Sequence, residues 1–388
     1  MVKILFVTDV PLWPLNGGER IRCYNIVRSL SENFQVALLS PRLVKVEAQL
    51  ETVSEIYELL IPPVSNLNKA LKIWHTFFPR RDWNNILYRI CDEFRPDVVW
   101  FDYGHWGQYV PLVRSSGAKT IMGTHNIQSQ LPKHQAKILP LNWRNFVALA
   151  NFIFQYCHER FLFQRFDRLI SVSKSDSRYH GHLVGEGRSL VIPNYLNENL
   201  YVDDRHIKRE ENLLVMTGNF DSFQNKYGAI WFIRDVWPLI QKQLPEARLE
   251  LIGRGSRIFG KKFGALPNVW FLGEVSDIIP HLRQAALSVV PLFHGSGTRF
   301  KILEALACAT PVVSTSLGAE GLGLIPDKEI TIADNAYDFS KEIIGLLKSP
   351  SKRRMLAQNG RKIISERYGF QVNTERIKNA ILDFLEVL

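Results

Sequence analysis

Cysteine is scarce: Cys23, Cys91, Cys157 and Cys308 are the four in 388 residues, and no two form a C-x-x-C pair. That spacing excludes a zinc knuckle and a redox dithiol. The length fits two to three domains at roughly 150 residues each, so cores can form without disulfide staples. The four cysteines are expected as buried thiols in a reducing compartment. No run reaches the roughly 18 uninterrupted apolar residues of a membrane span. Met1 leads almost at once into a strand-like Lys3-Ile4-Leu5-Phe6-Val7 with no signal-peptide pattern, so a cytoplasmic location is expected. Short-period repeats and low-complexity tracts are absent, which excludes solenoid and fibrous architectures. No D-x-D pattern is present to hold a divalent cation against a diphosphate. Gly253-Arg254-Gly255 lacks the third glycine of G-x-G-x-x-G, disfavouring a dinucleotide dehydrogenase. His180 and His182 have no acidic or cysteine partner nearby in sequence, so no metal ligands are assigned.

Hydrophobic residues make up 46% and charged residues 22% of the chain, a composition of folded, soluble-type proteins. Lys and Arg exceed Asp and Glu by 48 to 38, for a net charge of +10. This favours a nucleic acid, a nucleotide or an acidic lipid surface as partner. Short β-branched runs alternate with helical stretches, the pattern of parallel sheets with helices on their faces. It occurs twice. KILFVTDV, QVALLS, DVVWFDY, KTIMGTH and RLISVS form one set; NLLVMTG, RLELIG, VWFLG, LSVVPL and PVVSTS form the other. The expectation is an α/β protein with an N-terminal Rossmann-like domain over residues 1–195, a polar linker over 196–212 and a second such domain over 213–367. Residues 368–388 read as an amphipathic helix with Ile377, Ala380, Ile381, Phe384 and Leu385 on one face, expected to cap one domain, the N-terminal one by preference.

Ligands of such sheets bind beyond the carboxyl ends of the strands. After the first strand, Gly17-Gly18 precede a helix-like stretch, where backbone amides could approach an anion or form an ordinary turn. The densest signal is VVPLFHGSGTRFKILEALACATPVVSTSLGAEGLG. Its loop-to-helix junction is a natural anion site, with Arg299 and Lys301 adding charge and Glu304 placed to accept hydrogen bonds from sugar hydroxyls. The competing reading is a solvated helix start with a local Arg–Glu pair. Lys226 precedes an amphipathic helix, in a position suited to a diphosphate or simply to solvent. His125 follows a strand and could serve a sugar hydroxyl or a leaving phosphate, or be a satisfied structural histidine. His105 ranks below it.

Taken together, Gly17-Gly18-Glu19-Arg20, Thr124-His125-Asn126, Ser171-Val172-Ser173, Ile192-Pro193-Asn194, Thr217-Gly218, Gly297-Thr298-Arg299-Phe300-Lys301-Ile302-Leu303-Glu304-Ala305, Pro311-Val312-Val313 and Gly318-Ala319-Glu320-Gly321-Leu322 resemble glycosyltransferase family 4, and its subgroup linked to exopolysaccharide and cell-surface glycan assembly. The resemblance spans essentially the whole chain. It implies the GT-B fold, two Rossmann-like α/β domains facing across a cleft, and a retaining, metal-independent hexosyltransferase. The donor would be a UDP- or GDP-linked sugar used as substrate, with no cofactor, and the acceptor a glycan or lipid-linked glycan. His125, Arg299 and Lys301 would be catalytic, with His125 on the donor sugar and Glu304 on the ribose. Gly17, Gly18, Gly218, Asn219, Lys226, Gly273, Val275, Ser296, Gly297 and Thr298 would complete the donor site. Ser296 stands where the family usually has a first glutamate, and Asn219 where it often has an arginine. NKALKIWHTFFPRRDW (68–83) and NWRNFVALANFIFQYCHERFLFQRF (142–166) mix aromatic and basic residues. They suggest peripheral contact with an anionic membrane at its inner face, or core packing. A nucleotide-sugar epimerase of the same architecture is the alternative. A nucleic-acid partner is not expected, because acids intersperse the basic residues and no recognised motif appears.

Overall fold

The computed structural model describes residues 1–13, 15, 17–41, 52–59, 78–102, 104–127, 129, 143–201, 207–264, 266–295 and 299–386. The chain divides into two compact units, residues 1–194 with 370–388, and residues 195–369.

In the first unit, Ile4, Leu5, Phe6 and Val7 are consecutive and all fully buried, as a parallel strand covered on both faces requires. They lie in β1 (Lys3–Thr8). With β2 (Gln35–Pro41), β3 (Glu55–Leu59), β4 (Val98–Asp102), β5 (Lys119–Gly123), β6 (Arg168–Ser171) and β7 (Ser189–Val191) it forms a parallel sheet in the order β3-β2-β1-β4-β5-β6-β7. Leu5 is in register with Ala37 on one side and Val99 on the other. The strand order reverses between β1 and β4, which opens a crevice where the loops after these strands diverge. Among the described residues, the helices of this part of the chain are α1 (Gly18–Ser31), α2 (Arg81–Phe94), α3 (Val110–Ser115), α4 (Trp143–Leu162) and α5 (Lys174–Val184). Trp83 stacks on Trp106 at 5.1 Å between centroids, with Tyr109 5.8 Å away. This indole, expected at a membrane-facing patch, therefore packs inward.

The second unit repeats the plan. β8 (Glu210–Thr217), β9 (Arg248–Ile252), β10 (Val269–Gly273), β11 (Ala285–Val290), β12 (Val312–Ser314) and β13 (Thr331–Ile332) are parallel in the order β10-β9-β8-β11-β12-β13, with the reversal between β8 and β11. Its helices are α6 (Phe223–Trp231), which continues through a π-helical turn (Phe232–Val236) into α7 (Trp237–Gln243), then α8 (Ser256–Gly260), α9 (Ile279–Gln284), α10 (Phe300–Ala307), α11 (Ala336–Leu347) and α12 (Pro350–Ile363). Leu214, Leu249, Leu251, Leu287, Phe232 and Phe339 meet in its core. The last helix, α13 (Phe370–Glu386), belongs to the first unit, burying Ile377, Ile381 and Phe384. Ser29 and Thr374 share a hydrogen bond of 2.8 Å between α1 and α13, and Lys119 donates to the Phe384 carbonyl at 2.6 Å. Fully burying each of these apolar side chains is worth about 1.5–3 kcal/mol.

Of the stretch 196–212, read from sequence as a connector, the described residues 196–201 and 207–212 belong to the second unit. Leu196 N–H donates to the Tyr368 carbonyl at 2.9 Å, and Glu210 to Asn212 open β8.

Gly228 lets α6 lie against the end of β11: a Cβ there would stand 1.9 Å from the Pro291 carbonyl oxygen. Gly345, inside α11, has nothing within 4 Å of such a Cβ. Gly228→Ala should therefore destabilise the protein by about 1–3 kcal/mol through overpacking. Gly345→Ala should stabilise it by roughly 0.5–1 kcal/mol through helix propensity. Chemical denaturation of the two variants beside the parent protein checks both signs.

Candidate functional site

At the carboxyl end of the second sheet, three neighbouring strands finish on glycines at positive φ: Gly218 (156°), Gly253 (131°) and Gly273 (82°). Gly218 N–H donates to the Ile252 carbonyl at 3.0 Å, and Gly253 N–H to the Gly273 carbonyl at 2.7 Å. A Cβ on Gly253 would lie 2.0 Å from the Gly218 oxygen, so side chains are excluded here and the wall is bare backbone. Gly273 N–H is held by Ser256 Oγ at 2.8 Å. Val275 is half-buried in the loop beyond.

Lys301 reaches this wall from the first turn of α10. Its Nζ would be 2.8 Å from a Cβ on Gly218 and donates to Asn225 Oδ1 at 2.7 Å. Asn225 Nδ2 donates in turn to the Asn219 carbonyl at 2.9 Å and to Ser222 Oγ at 3.0 Å. Desolvation pushes the Lys301 ammonium down to about 7, the Arg299 guanidinium lowering it further and Glu304 opposing them. Arg299 is the residue before α10, with its Nη2 about the Gly295 backbone, 3.0 Å from where a Cβ would be. Glu304, one helical turn beyond Lys301, accepts from the Tyr201 hydroxyl at 3.3 Å. Desolvation raises its carboxyl, with Tyr201 and Lys301 pulling the other way.

Gly218, Arg299, Lys301 and Glu304 thus form one neighbourhood, to which Asn225 and Tyr201 are additions the sequence did not flag. Asn219 turns its side chain inward on the loop, Oδ1 accepting from Asp221 N–H at 2.9 Å. Lys226 lies in the first turn of α6 with no side-chain partner among the described residues. Ser296, Gly297 and Thr298 lie outside the described residues.

In the first unit, Gly17 precedes α1 and its carbonyl accepts from the N–H groups of Arg20 and Ile21; Gly18 opens the helix. His125 stands just beyond β5, its Nε2 2.6 Å from Asp102 Oδ2. Asp102 ends β4, is fully buried, and accepts from Trp100 Nε1 at 3.0 Å and from Cys23 Sγ at 3.1 Å. Burial pushes the Asp102 carboxyl up, but His125, Arg22 and Trp100 outweigh it and the net shift is downward. A Cβ on Gly123 would meet Asp102 Oδ1 at 1.9 Å, so glycine is needed beside the carboxylate. The ligand-type atoms of Cys23, Asp102 and His125 lie within 4.8 Å of one another. Burial and the Asp102 charge hold the Cys23 thiol well above its ordinary range, so it stays a protonated donor to Asp102, which His125 meets on the same oxygen. Asp9, beyond β1, is pushed up to about 6, chiefly by burial. His105 Nδ1 and His158 Nε2 share a 2.8 Å hydrogen bond, and burial lowers both rings. His180 bonds Ser171 Oγ at 2.8 Å inside the core.

The loop-to-helix junction with its two cations and acid falls inside the stretch that matches a family model. Residues 211–349 match the family described as glycosyl transferases group 1. An uncharacterized 44.6 kDa protein in the cps region of Klebsiella pneumoniae is 25% identical over 213 residues, covering 52% of this chain and 53% of that protein. A GDP-mannose-dependent monoacylated alpha-(1-6)-phosphatidylinositol monomannoside mannosyltransferase of Corynebacterium glutamicum is 26% identical over 156 residues, covering 37% of this chain and 41% of that protein. The chain thus spans about half the length, or less, of these curated relatives. The crystal structure of Anabaena Alr3699/HepE in complex with UDP superimposes with a TM-score of 0.71 at 14% identity, over 98% of this chain and all of that one. The fold is that of the GT-B glycosyltransferases, with two parallel-sheet Rossmann-like domains.

The Lys301 shift has a measurable sign. An unfolded lysine keeps its proton to about 10.5, so above pH 7 or so the folded chain binds fewer protons than the unfolded one and stability rises with pH. The contribution is complete above the unfolded value and is lost as pH falls through the folded one. Lys301→Met removes it. Paired thermal melts should show the parent gaining on the variant between about pH 6.5 and 9; a constant gap would refute the depressed pKa.

Proposed function

We propose that the chain transfers a sugar from a UDP- or GDP-linked donor to a glycan or lipid-linked acceptor in cell-surface polysaccharide synthesis. The observation that carries this reading is the Lys301 ammonium over the Gly218 backbone, with Arg299 and Glu304 beside it, inside the stretch that matches glycosyl transferases group 1. Bare backbone at a strand end with two cations above it suits a diphosphate. The UDP in the Anabaena structure and the GDP-mannose of the Corynebacterium enzyme support the two donor bases. The cps-region relative supports a cell-surface product, and the phosphatidylinositol mannoside acceptor of the Corynebacterium enzyme supports a lipid-linked one.

In this mechanism the acceptor hydroxyl attacks the anomeric carbon on the face the nucleotide leaves. The bond from that carbon to the diphosphate oxygen breaks, and the departing phosphate takes the hydroxyl proton, so configuration is retained. Arg299 and Lys301 stabilise the growing diphosphate charge and serve where a metal would otherwise be needed. Glu304 accepts from the ribose hydroxyls, and the Gly273 to Val275 backbone meets the base. His125, oriented by Asp102, holds the donor sugar. Gly17 and Gly18 give close backbone approach. The role of a first glutamate at Ser296 either falls to backbone amides around Gly295 to Thr298 or is absent.

UDP or GDP at about 100 times its dissociation constant should stabilise the protein by roughly 2.7 kcal/mol, a shift of several degrees. Arg299→Ala and Glu304→Ala should each abolish the shift while leaving the unliganded melt nearly unchanged. Stabilisation by neither nucleotide, together with no transfer from either sugar nucleotide, would overturn the reading.

Among the described residues no helix is long and apolar enough to cross a membrane. The 68–83 segment lies largely outside the described residues. On α4, Leu149, Ile153 and Tyr156 are 50%, 53% and 43% exposed at i, i+4 and i+7, one helical stripe, while Phe163 and Phe166 farther along are core. An apolar stripe on a chain of net charge +10 supports peripheral docking to an anionic membrane, which would bring a lipid-linked acceptor to hand. Leu149→Glu with Ile153→Glu should reduce co-sedimentation with phosphatidylglycerol vesicles at least tenfold without altering nucleotide binding. Unchanged sedimentation would refute this surface.

A further inference from the structure

The opposite, amino end of the second sheet is also basic. Arg209 and Glu211 at the start of β8, Ala307 at the end of α10, Pro311 before β12 and one face of α12 line a cavity of about 920 Å³. A recess of about 130 Å³ adjoins it, sharing Arg209 and Arg361 and adding Arg283. Six cations line the two spaces: Arg209, Arg283, Arg353, Arg354, Arg361 and Lys362. Among the described residues they face two carboxylates, Glu198 and Glu211.

Some of this charge is tied down. Arg353 pairs with Glu211 and donates to the Leu346 and Leu347 carbonyls. Arg209 donates to the carbonyls of Ala285 at 2.7 Å and Ala309 at 3.0 Å, neutral acceptors that fix the guanidinium without cancelling its charge. Lys362 has Glu366 at 3.6 Å. Arg354 and Arg361 are exposed on α12 and have no side-chain partner among the described residues. Guanidiniums gathered in a concave space repel one another, and an anion relieves that repulsion through paired N–H donors. The larger cavity is of small-ligand size, and its described lining residues carry no aromatic ring on which a base could stack.

We propose that this cavity is a second anion site, taking a phosphate-bearing ligand without a nucleobase. Nine residue steps along β8 separate Arg209 from Gly218, about 30 Å at roughly 3.3 Å per residue, so the two ends of the sheet hold separate sites. The ligand is either a small soluble phosphate ester or the headgroup of a phospholipid, recognised by the same chemistry. The proposal is independent of the sugar-transfer reading.

The test is calorimetric titration of the full chain with inorganic pyrophosphate at constant ionic strength, in the Lys301→Met background so that the site under Gly218 is weakened. Saturable binding should persist there and weaken at least tenfold on adding Arg354→Glu and Arg361→Glu. Both changes are on exposed residues, and an unchanged melt confirms that the fold is kept. A parallel arm replaces pyrophosphate with phosphatidylglycerol vesicles and adds Leu149→Glu and Ile153→Glu, so that docking through α4 does not contribute. Binding of vesicles but not of pyrophosphate, lost in the arginine variants, identifies the lipid source and supports the site. No saturable binding of either probe, or binding indifferent to Arg354 and Arg361, overturns it. Asp203 and Asp204, which lie outside the described residues, sit in sequence between the lining residues Tyr201 and Ile207. Binding seen only after Asp203→Asn and Asp204→Asn would also overturn the proposal, because the chain's own carboxylates would then be the occupant.

Discussion

A parallel sheet buried on both faces has no room for charge along its strands, so polar chemistry is driven to the strand ends. In the second unit that constraint is sharpened by backbone contact. Gly253 sits so close to the Gly218 carbonyl that a methyl group would be 2.0 Å from it. Because β8 and β9 end as bare backbone, Lys301 can lie over Gly218 and reach Asn225. A side chain at Gly218 would displace the ammonium and one at Gly253 would strike the Gly218 carbonyl, so the cluster of Lys301, Arg299 and Glu304 would lose its floor. In the first unit, Gly123 does the same for Asp102, leaving space for the carboxylate at the end of the neighbouring strand.

The two ends solve opposite electrostatic problems. Asp102 is inside the protein but has its donors in place: Trp100 on one oxygen, Cys23 and His125 on the other. Its charge is therefore kept, and its service is to orient the imidazole. Lys301 has an amide oxygen as its acceptor and a second cation close by, so desolvation and repulsion bring its pKa down to about 7. A cation left short of negative charge in a fixed position is poised for an incoming anion, since its reorganisation is done before the ligand arrives. Glu304, raised by the same desolvation, is a correspondingly avid acceptor of hydrogen bonds.

Much of the fold was legible because buried parallel strands are unbroken apolar runs. All ten runs read from sequence contain strands of the two sheets. The strands not foreseen are β3, β7 and β13, each at a sheet edge. An edge strand has less to bury and carries a weaker pattern: Glu55 and Glu58 flank a short apolar pair in β3, and β13 is only Thr331 and Ile332. The same logic divides the candidate sites. Arg299, Lys301 and Glu304 stand close together on one helix start, so their spacing announces a cluster. Their partners do not, because Asn225 is 76 residues from Lys301 and Tyr201 is 103 from Glu304. Asp102 and Cys23, 79 residues apart, likewise meet only once the chain is folded. Asn219 has a local structural part as well. Its side chain completes an Asx turn, which an asparagine after a strand-end glycine does readily.

The helix α10 links the two basic ends of the second unit. Lys301 projects from its first turn toward the Gly218 wall, while Ala307, its last residue, lines the opposite cavity. Gly360 of α12 packs so closely on Leu306 that a Cβ would stand 2.6 Å from its Cδ2. Helices in such contact move together, because packed cores shift between discrete arrangements and do not deform smoothly. An anion drawing Arg354 and Arg361 inward would load α12, and through Leu306 would load the helix that carries Lys301 and Glu304. Any coupling between the two ends is reciprocal, a diphosphate at one changing affinity at the other by the same factor.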